Sequence, residues 1–154
     1  MSPAQLSICQ VCAVGFTYRK FLEPLCLALA EAGYRVDVAY SGAAPEDAGP
    51  AVPAGALRFQ PVPIARSSSP VALARATWSL WRLFARERYT VVHVHTPVAA
   101  IAARLAAFLS CRPVVIYTAH GFYFHEGMAA PVRWLHIASE WVLAQLTTLL
   151  LTQS

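Results

Sequence analysis

Short apolar runs alternate with longer segments of helical period along the whole chain, and that alternation restricts the available folds more than any other feature. Residues 6–14 read as a buried strand, and "YRKFLEPLCLALAEAG" reads as a helix stopped at Gly33, a residue type suited to a left-handed C-terminal turn. "YRVDVAY" is a second strand. A Gly-, Pro- and Ala-rich loop over residues 41–55 leads to "ALRFQPVPI", a short third strand broken by proline. "ARSSSP" is a further loop and "ARATWSLWRLFARERY" a basic amphipathic helix. Then come "TVVHVH", "PVAAIAARLAAFL", "PVVIYTAH", "PVRWLHIASEWVLAQL" and "TTLLLTQ", again strand and helix in turn. Strands separated by helices of this length need right-handed crossovers, so the expected fold class is α/β, a Rossmann-like parallel sheet with helices on both faces. At 154 residues, with no internal repeat or linker, one domain over 1–154 is expected.

Composition enters where it excludes alternatives. A hydrophobic fraction of 57% against 13% charged rules out disorder and raises the question of a membrane. Two charge-free stretches, residues 89–103 and 141–154, fall short of the roughly 18–20 apolar residues a bilayer span requires, and the first contains His93, His95 and Pro97. Residues 1–6 lack the basic start of a signal peptide, so a cytoplasmic location is expected. Cys9 and Cys12 stand at an odd offset in a strand, which puts them on opposite faces. With Cys26 and Cys111 they are expected to be free thiols that pack as small apolar side chains.

The net charge of +4 rests almost wholly on arginine, Lys20 being the single lysine. Arg75, Arg82, Arg86 and Arg88 share one helix with Leu73, Trp78, Leu80, Trp81 and Phe84. Two readings stay open: a helix packed on the sheet with its arginines in water, or a surface that meets an anionic membrane. No nucleic-acid partner is expected, because neither an aromatic-rich binding motif nor a recognition helix accompanies the charge.

Open parallel sheets bind ligands beyond the carboxyl ends of their strands, which directs attention to three strand exits. At "AVGFTYRKF", Gly15 allows a close backbone approach, and the helix that follows can offer N–H groups to an anion. At "HVHTP", His93 and His95 share a face. His93 is expected to be packed inside the sheet and His95 to stand at the exit, where Thr96 caps the next helix and Pro97 occupies its first turn. At "YTAHGFYFHEG", His120, His125 and Glu126 lie in an aromatic loop that opens at Gly121, either as a plug over the core or as a polar ligand contact. The companions a metal site would need are missing, so no metal is expected.

The runs "PVPIARSSSP", "YTVVHVHTPVAAIAARLAA" and "VVIYTAHGFYFHEG" strongly resemble the N-terminal domain of family-4 glycosyltransferases of the GT-B fold, in the bacterial branch that builds capsular polysaccharide, exopolysaccharide and lipid-linked oligosaccharide. "YRKFLEPLCLALAEAGYRVDV" is similar to the opening of the same domain, so the likeness covers nearly the whole chain. The resemblance implies sugar transfer with retention, from a nucleotide sugar, UDP-linked by expectation, to a lipid-linked or polysaccharide acceptor in cell-surface glycan synthesis. No other cofactor is implied, and the enzyme would work in the cytoplasm or peripherally on the inner face of the plasma membrane. It also implies that Gly15 and Phe16 match the loop beside the donor phosphates, and that His95 and Thr96 match the cleft edge. Arg66 falls on the arginine of the family's S-R-S loop, with Ala65 in place of the usual serine. His120, with Gly121, matches the histidine that hydrogen-bonds the donor sugar; it would orient the sugar and stabilise charge near the leaving group.

The chain departs from that pattern at "LLLTQS", where the family runs on into a donor-binding domain whose E-x7-E segment has no counterpart here. The expectation is a half that is inactive without a C-terminal domain or subunit. The alternative is a non-catalytic membrane-surface or protein-interaction module, and a small metal-dependent hydrolase is a third possibility.

Overall fold

The computed structural model describes residues 6–42, 55–64, 69–110, 113–119 and 127–152. Six parallel strands, β1 (Ser7–Val14), β2 (Arg35–Ser41), β3 (Leu57–Pro61), β4 (Val91–His95), β5 (Val114–Ala119) and β6 (Leu149–Thr152), form one sheet in the order β3-β2-β1-β4-β5-β6. The helical segments are α1 (Gly15–Thr17), a π-helical turn (Tyr18–Leu22), α2 (Glu23–Glu31), α3 (Pro70–Glu87), α4 (Pro97–Leu109) and α5 (Ala130–Ala144). The strand–helix alternation thus gives the expected Rossmann-like α/β fold. Among the described residues no helix is long and apolar enough to cross a membrane.

The pleat divides the core in two. Cys9, Val11 and Ala13 of β1 face α3 and α4, where they pack with Leu80, Phe84, Val92, Val94, Ala103 and Tyr117. Cys12 faces the other way, into a smaller cluster with Tyr18, Leu22, Cys26, Val36 and Val38 beneath α2. Cys9, Cys12 and Cys26 are free and buried, on the two faces that their spacing requires. Burial pushes the Cys12 and Cys26 thiols up to about 12. Cys111 lies outside the described residues, as does most of the expected loop over 41–55.

Local chemistry explains where the elements stop. Gly33 adopts φ +89° after α2, the left-handed conformation that only glycine takes at little cost. Arg88 takes φ 51° after α3, and its N–H donates to the Phe84 carbonyl. α3, α4 and α5 each carry proline in the first turn, where no N–H is needed. α4 is alanine-rich, so it lies close against the sheet, and its buried Arg104 binds Glu140 of α5 at 3.0 Å while stacking on Tyr117 at 4.6 Å.

At the amino edge of the sheet lies a polar network that composition alone does not foretell. Asp37, fully buried, accepts Arg58 Nε at 2.9 Å and Nη2 at 2.6 Å, Gln60 Nε2 at 3.1 Å and the Tyr89 hydroxyl at 2.5 Å. Glu87, at the end of α3, joins Arg58, Arg35 and Arg86 at 2.6, 3.1 and 3.0 Å. The Arg58 guanidinium holds the Glu87 carboxyl below its ordinary value, while burial pushes the Tyr89 hydroxyl well up.

Candidate functional site

β1 and β4 are neighbours, yet β1 leads towards β2 on one side and β4 towards β5 on the other. Their carboxyl ends therefore bound the crevice where the strand order reverses, the place an open α/β sheet offers a ligand. Gly15 and Phe16 leave β1 at this point, and His95 and Thr96 leave β4. Four of the residues singled out in the sequence thus meet at one edge. Arg66, His120, Gly121 and Glu126 lie outside the described residues, as does His125.

Backbone irregularity concentrates around the same crevice. The register of β1 on β2 shifts between Val11 and Val14, an extra residue of the kind that bends a strand beside a site. The Cys12 thiol donates to the Val14 carbonyl at 3.5 Å within that bulge. The π-helical turn over Tyr18–Leu22 follows directly on α1, and such turns recur at functional positions. Thr96 stands at φ 73°, ψ 135°, a conformation costing a non-glycine residue about 1–3 kcal/mol.

The first-loop residues occupy an exit that differs in detail from expectation. Gly15 is already the first helical residue and lacks a positive φ, so extended Val14 makes the turn. Phe16 is 65% exposed, with the Lys20 ammonium 5.6 Å from its ring centre and equally far from that of Phe21. Lys20 therefore adds a cation close to the exit, which its sequence spacing did not mark.

The two histidines correct the sequence reading in one respect. They do share a face, with ring centres 4.1 Å apart. His95, however, is the buried one at 2% exposure, while His93 is half-buried. Each reaches diagonally across the sheet. His95 Nε2 donates to Gln10 Oε1 of β1 at 2.9 Å, and His93 Nε2 shares a 2.8 Å hydrogen bond with Thr118 Oγ1 of β5. Gln10 Oε1 is an acceptor only, so His95 carries its proton on Nε2 in this arrangement. The expected side-chain cap is absent as well: Thr96 Oγ1 bonds no N–H of α4 and is buried without a partner among the described residues. Gln10 Nε2 and the Tyr18 hydroxyl are likewise buried and unpartnered there.

Gln10 was the residue most readily missed. The signal was available, because it is the one polar side chain inside the otherwise apolar "ICQVCAV" and lies level with His93 in the sheet. At the same edge α4 leaves the N–H groups of Val98 and Ala99 open, since its first internal hydrogen bond runs from Ala100 to Thr96. Among the described residues the crevice offers backbone donors, a buried imidazole–amide pair and an exposed ring, and no arranged nucleophile. That equipment suits binding and charge stabilisation better than covalent chemistry. Among the described residues no three His, Cys, Asp or Glu side chains are grouped to hold a metal ion.

Comparison with known proteins gives this geometry its context. A family model described as a glycosyl transferase 4-like domain matches residues 17–154. A UDP-Gal:alpha-D-GlcNAc-diphosphoundecaprenol alpha-1,3-galactosyltransferase of Escherichia coli is 32% identical over 88 residues, covering 57% of this chain and 23% of that enzyme. Among solved structures, a sucrose-phosphate synthase of Thermosynechococcus elongatus superposes with a TM-score of 0.66 at 13% identity, over 95% of this chain and 42% of that one. A UDP-GlcNAc 2-epimerase of Methanocaldococcus jannaschii gives 0.55 at 12% identity, over 98% and 40%. The two structural likenesses establish the fold alone, and in all three cases the matched region is less than half of the other protein.

Proposed function

The chain belongs to the glycosyl transferase 4-like family, in the N-terminal domain of the GT-B fold, and from that premise we propose that it forms one wall of a sugar-transfer cleft. In this reading a nucleotide sugar, UDP-linked, donates its sugar with retention to a lipid-linked acceptor of cell-surface glycan synthesis, and a second, donor-binding domain supplies the other wall. The observation that carries the reading is the convergence of Gly15, Phe16, His95 and Thr96 on the switch point between β1 and β4. The relative from Escherichia coli, whose name specifies a UDP sugar and a diphosphoundecaprenol acceptor, supports the choice of substrates.

The roles follow from what each group can do. Open N–H groups at the start of α4 and the exit after β1 suit the negative charge of a diphosphate. The His95–Gln10 pair holds the floor of the crevice rigid, so that donors aimed at developing charge need no rearrangement. His120, which follows β5 directly in the sequence, is assigned the contact with the donor sugar, and Arg66, Gly121 and Glu126 complete the proposed lining. No resident cofactor is assigned.

A transfer assay tests the proposal: this chain, a family donor-binding domain supplied in trans, a radiolabelled UDP sugar and a short-chain prenyl-diphosphate-sugar acceptor. Product is expected only when both proteins are present, and His120→Ala should lower kcat by about 100-fold or more, the scale of one lost electrostatic donor. Undiminished transfer by both His120→Ala and His95→Ala would overturn the site, and no transfer by any combination of donor domain and sugar would overturn the reaction.

A further inference from the structure

The outer face of α3 is not absorbed by the sugar-transfer reading. Ala76, Leu80, Leu83 and Phe84 bury the inner face of this helix, as an amphipathic pattern requires. The opposite face is not wholly polar as that pattern leads one to expect, since among its exposed arginines Val71 is 70% exposed and Trp78 59%. Between α3 and α4 runs a groove of about 630 Å³ lined by Leu73, Ala74, Trp78, Trp81, Leu105 and Leu109. Thr77 also lines it, its hydroxyl buried without a partner among the described residues. Trp81 Nε1 donates to the Leu109 carbonyl at 3.0 Å, which ties the indole to the end of α4, and the Trp78 and Trp81 ring centres lie 4.7 Å apart. Leu109, 61% exposed, continues the apolar surface at the groove's far end. A contiguous patch of this kind marks a contact with something outside the chain.

Charge identifies the occupant. Arg75 and Arg82 are exposed and stand seven residues apart, two helical turns, so they form a stripe beside Trp78. The described part of the α3–α4–α5 layer holds two acids to offset them, and both are engaged: Glu87 by Arg35, Arg58 and Arg86, and Glu140 by Arg104. Tryptophan and aliphatic side chains beside uncompensated arginines match the headgroup layer of an anionic bilayer, where indoles sit at the interface and guanidinium groups meet phosphates.

We propose that the outer face of α3, with the groove it forms against α4, docks on an anionic phospholipid bilayer, Val71, Trp78 and Leu109 entering the interfacial layer while Arg75 and Arg82 contact lipid phosphates. The purpose of this surface rests on the membrane-borne acceptor proposed above. α3 and α4 both begin on the carboxyl side of the sheet, so the surface runs back from the edge that holds the crevice. A helix of 18 residues is about 27 Å long, which keeps the crevice within a helix length of the bilayer.

Sedimentation of the whole chain with sucrose-loaded vesicles tests this, phosphatidylcholine alone being compared with a phosphatidylcholine–phosphatidylglycerol mixture. Binding is expected to the mixture only, and to weaken as salt is added. Arg75→Gln with Arg82→Gln should weaken it about 30-fold, at about 1 kcal/mol per arginine near such a surface. Trp78→Ala should weaken it at low and high salt alike, whereas Trp134→Ala with Trp141→Ala on α5 should leave it unchanged. All these side chains except Arg75 and Arg82 are large exposed apolar groups, so circular dichroism melts are expected to match the parent's.

Equal binding to neutral vesicles, none at low salt, retention in the α3 variants, or loss in the α5 variant alone would each overturn the proposal. So would a lipid-free dimer that Trp78→Ala dissociates, since the face would then be a protein interface. Transfer to a detergent-solubilised acceptor reports separately on the sugar-transfer reading, which survives loss of vesicle binding if that activity persists.

Discussion

The two edges of the sheet treat buried polar groups in opposite ways. At the amino edge Asp37 is fully buried and meets Arg58, Gln60 and Tyr89, while Glu87 bridges Arg35, Arg58 and Arg86. At the carboxyl side Gln10 is just as buried, but its amide N–H groups have no partner among the described residues, and neither do Thr96 Oγ1 and the Tyr18 hydroxyl. The bulge in β1, the π-helical turn and the positive φ of β-branched Thr96 lie on that second side, whereas Arg88, the non-glycine residue at positive φ beside the amino-edge network, is an ordinary left-handed helix cap. A satisfied network is what a fold needs to hold one register. Unsatisfied donors and a strained residue are what a fold tolerates where a ligand completes the arrangement.

Asp37→Asn attacks the satisfied edge and should have the largest effect. It removes the buried carboxylate that Arg58, Gln60 and Tyr89 share, while Arg58 keeps Glu87 at 2.6 Å, so a loss of about 2–3 kcal/mol is expected from urea denaturation. A cost below about 1 kcal/mol would mean that the network is ornamental.

Acid titration probes the same edge more gently. Arg58 lowers the folded pKa of Glu87, so the stability this group contributes is present above the unfolded glutamate value of 4.5 and is lost as pH falls through the lower folded value. Glu87→Gln should flatten the decline of melting temperature on the acid side. An unchanged slope would remove Glu87 from the account.

Gln10→Met makes the matching change at the other edge. It removes an unpartnered amide along with the acceptor of His95, so the net cost should stay near 1 kcal/mol despite equal burial. A cost approaching that of Asp37→Asn would erase the distinction between the edges. The smallest effect has the opposite sign: Thr96→Gly relieves strain but adds freedom to the unfolded chain, so stability should rise by up to about 1 kcal/mol. Sugar transfer by that variant should fall, because the exit of β4 is no longer held in one conformation.

Much of the fold was legible because burial of apolar side chains, the main driving force, leaves a periodic trace along the chain. The alternation of runs determined the strand and helix order, and the odd spacing of Cys9 and Cys12 placed them on separate faces. Burial along β4 was not legible. Period two puts His93 and His95 on one face but cannot say which is covered, since that depends on diagonal partners supplied by other strands, Gln10 for one and Thr118 for the other. Thr96 shows the same limit. Its residue type favours a capping hydrogen bond, and the route from β4 into α4 imposes a left-handed conformation instead. The amino-edge network joins residues up to 52 positions apart, which no local pattern encodes.

Chemical-shift mapping on the isotopically labelled chain tests the central claim most directly, with a short-chain prenyl-diphosphate sugar titrated as ligand. Perturbations should gather at Gly15, Phe16, His95, Thr96 and the first turn of α4, leaving Arg35, Asp37, Arg58 and Tyr89 unmoved. Shifts centred on the amino-edge network, or a spectrum indifferent to the ligand at every concentration reached, would contradict the division of the sheet into a structural edge and a binding edge.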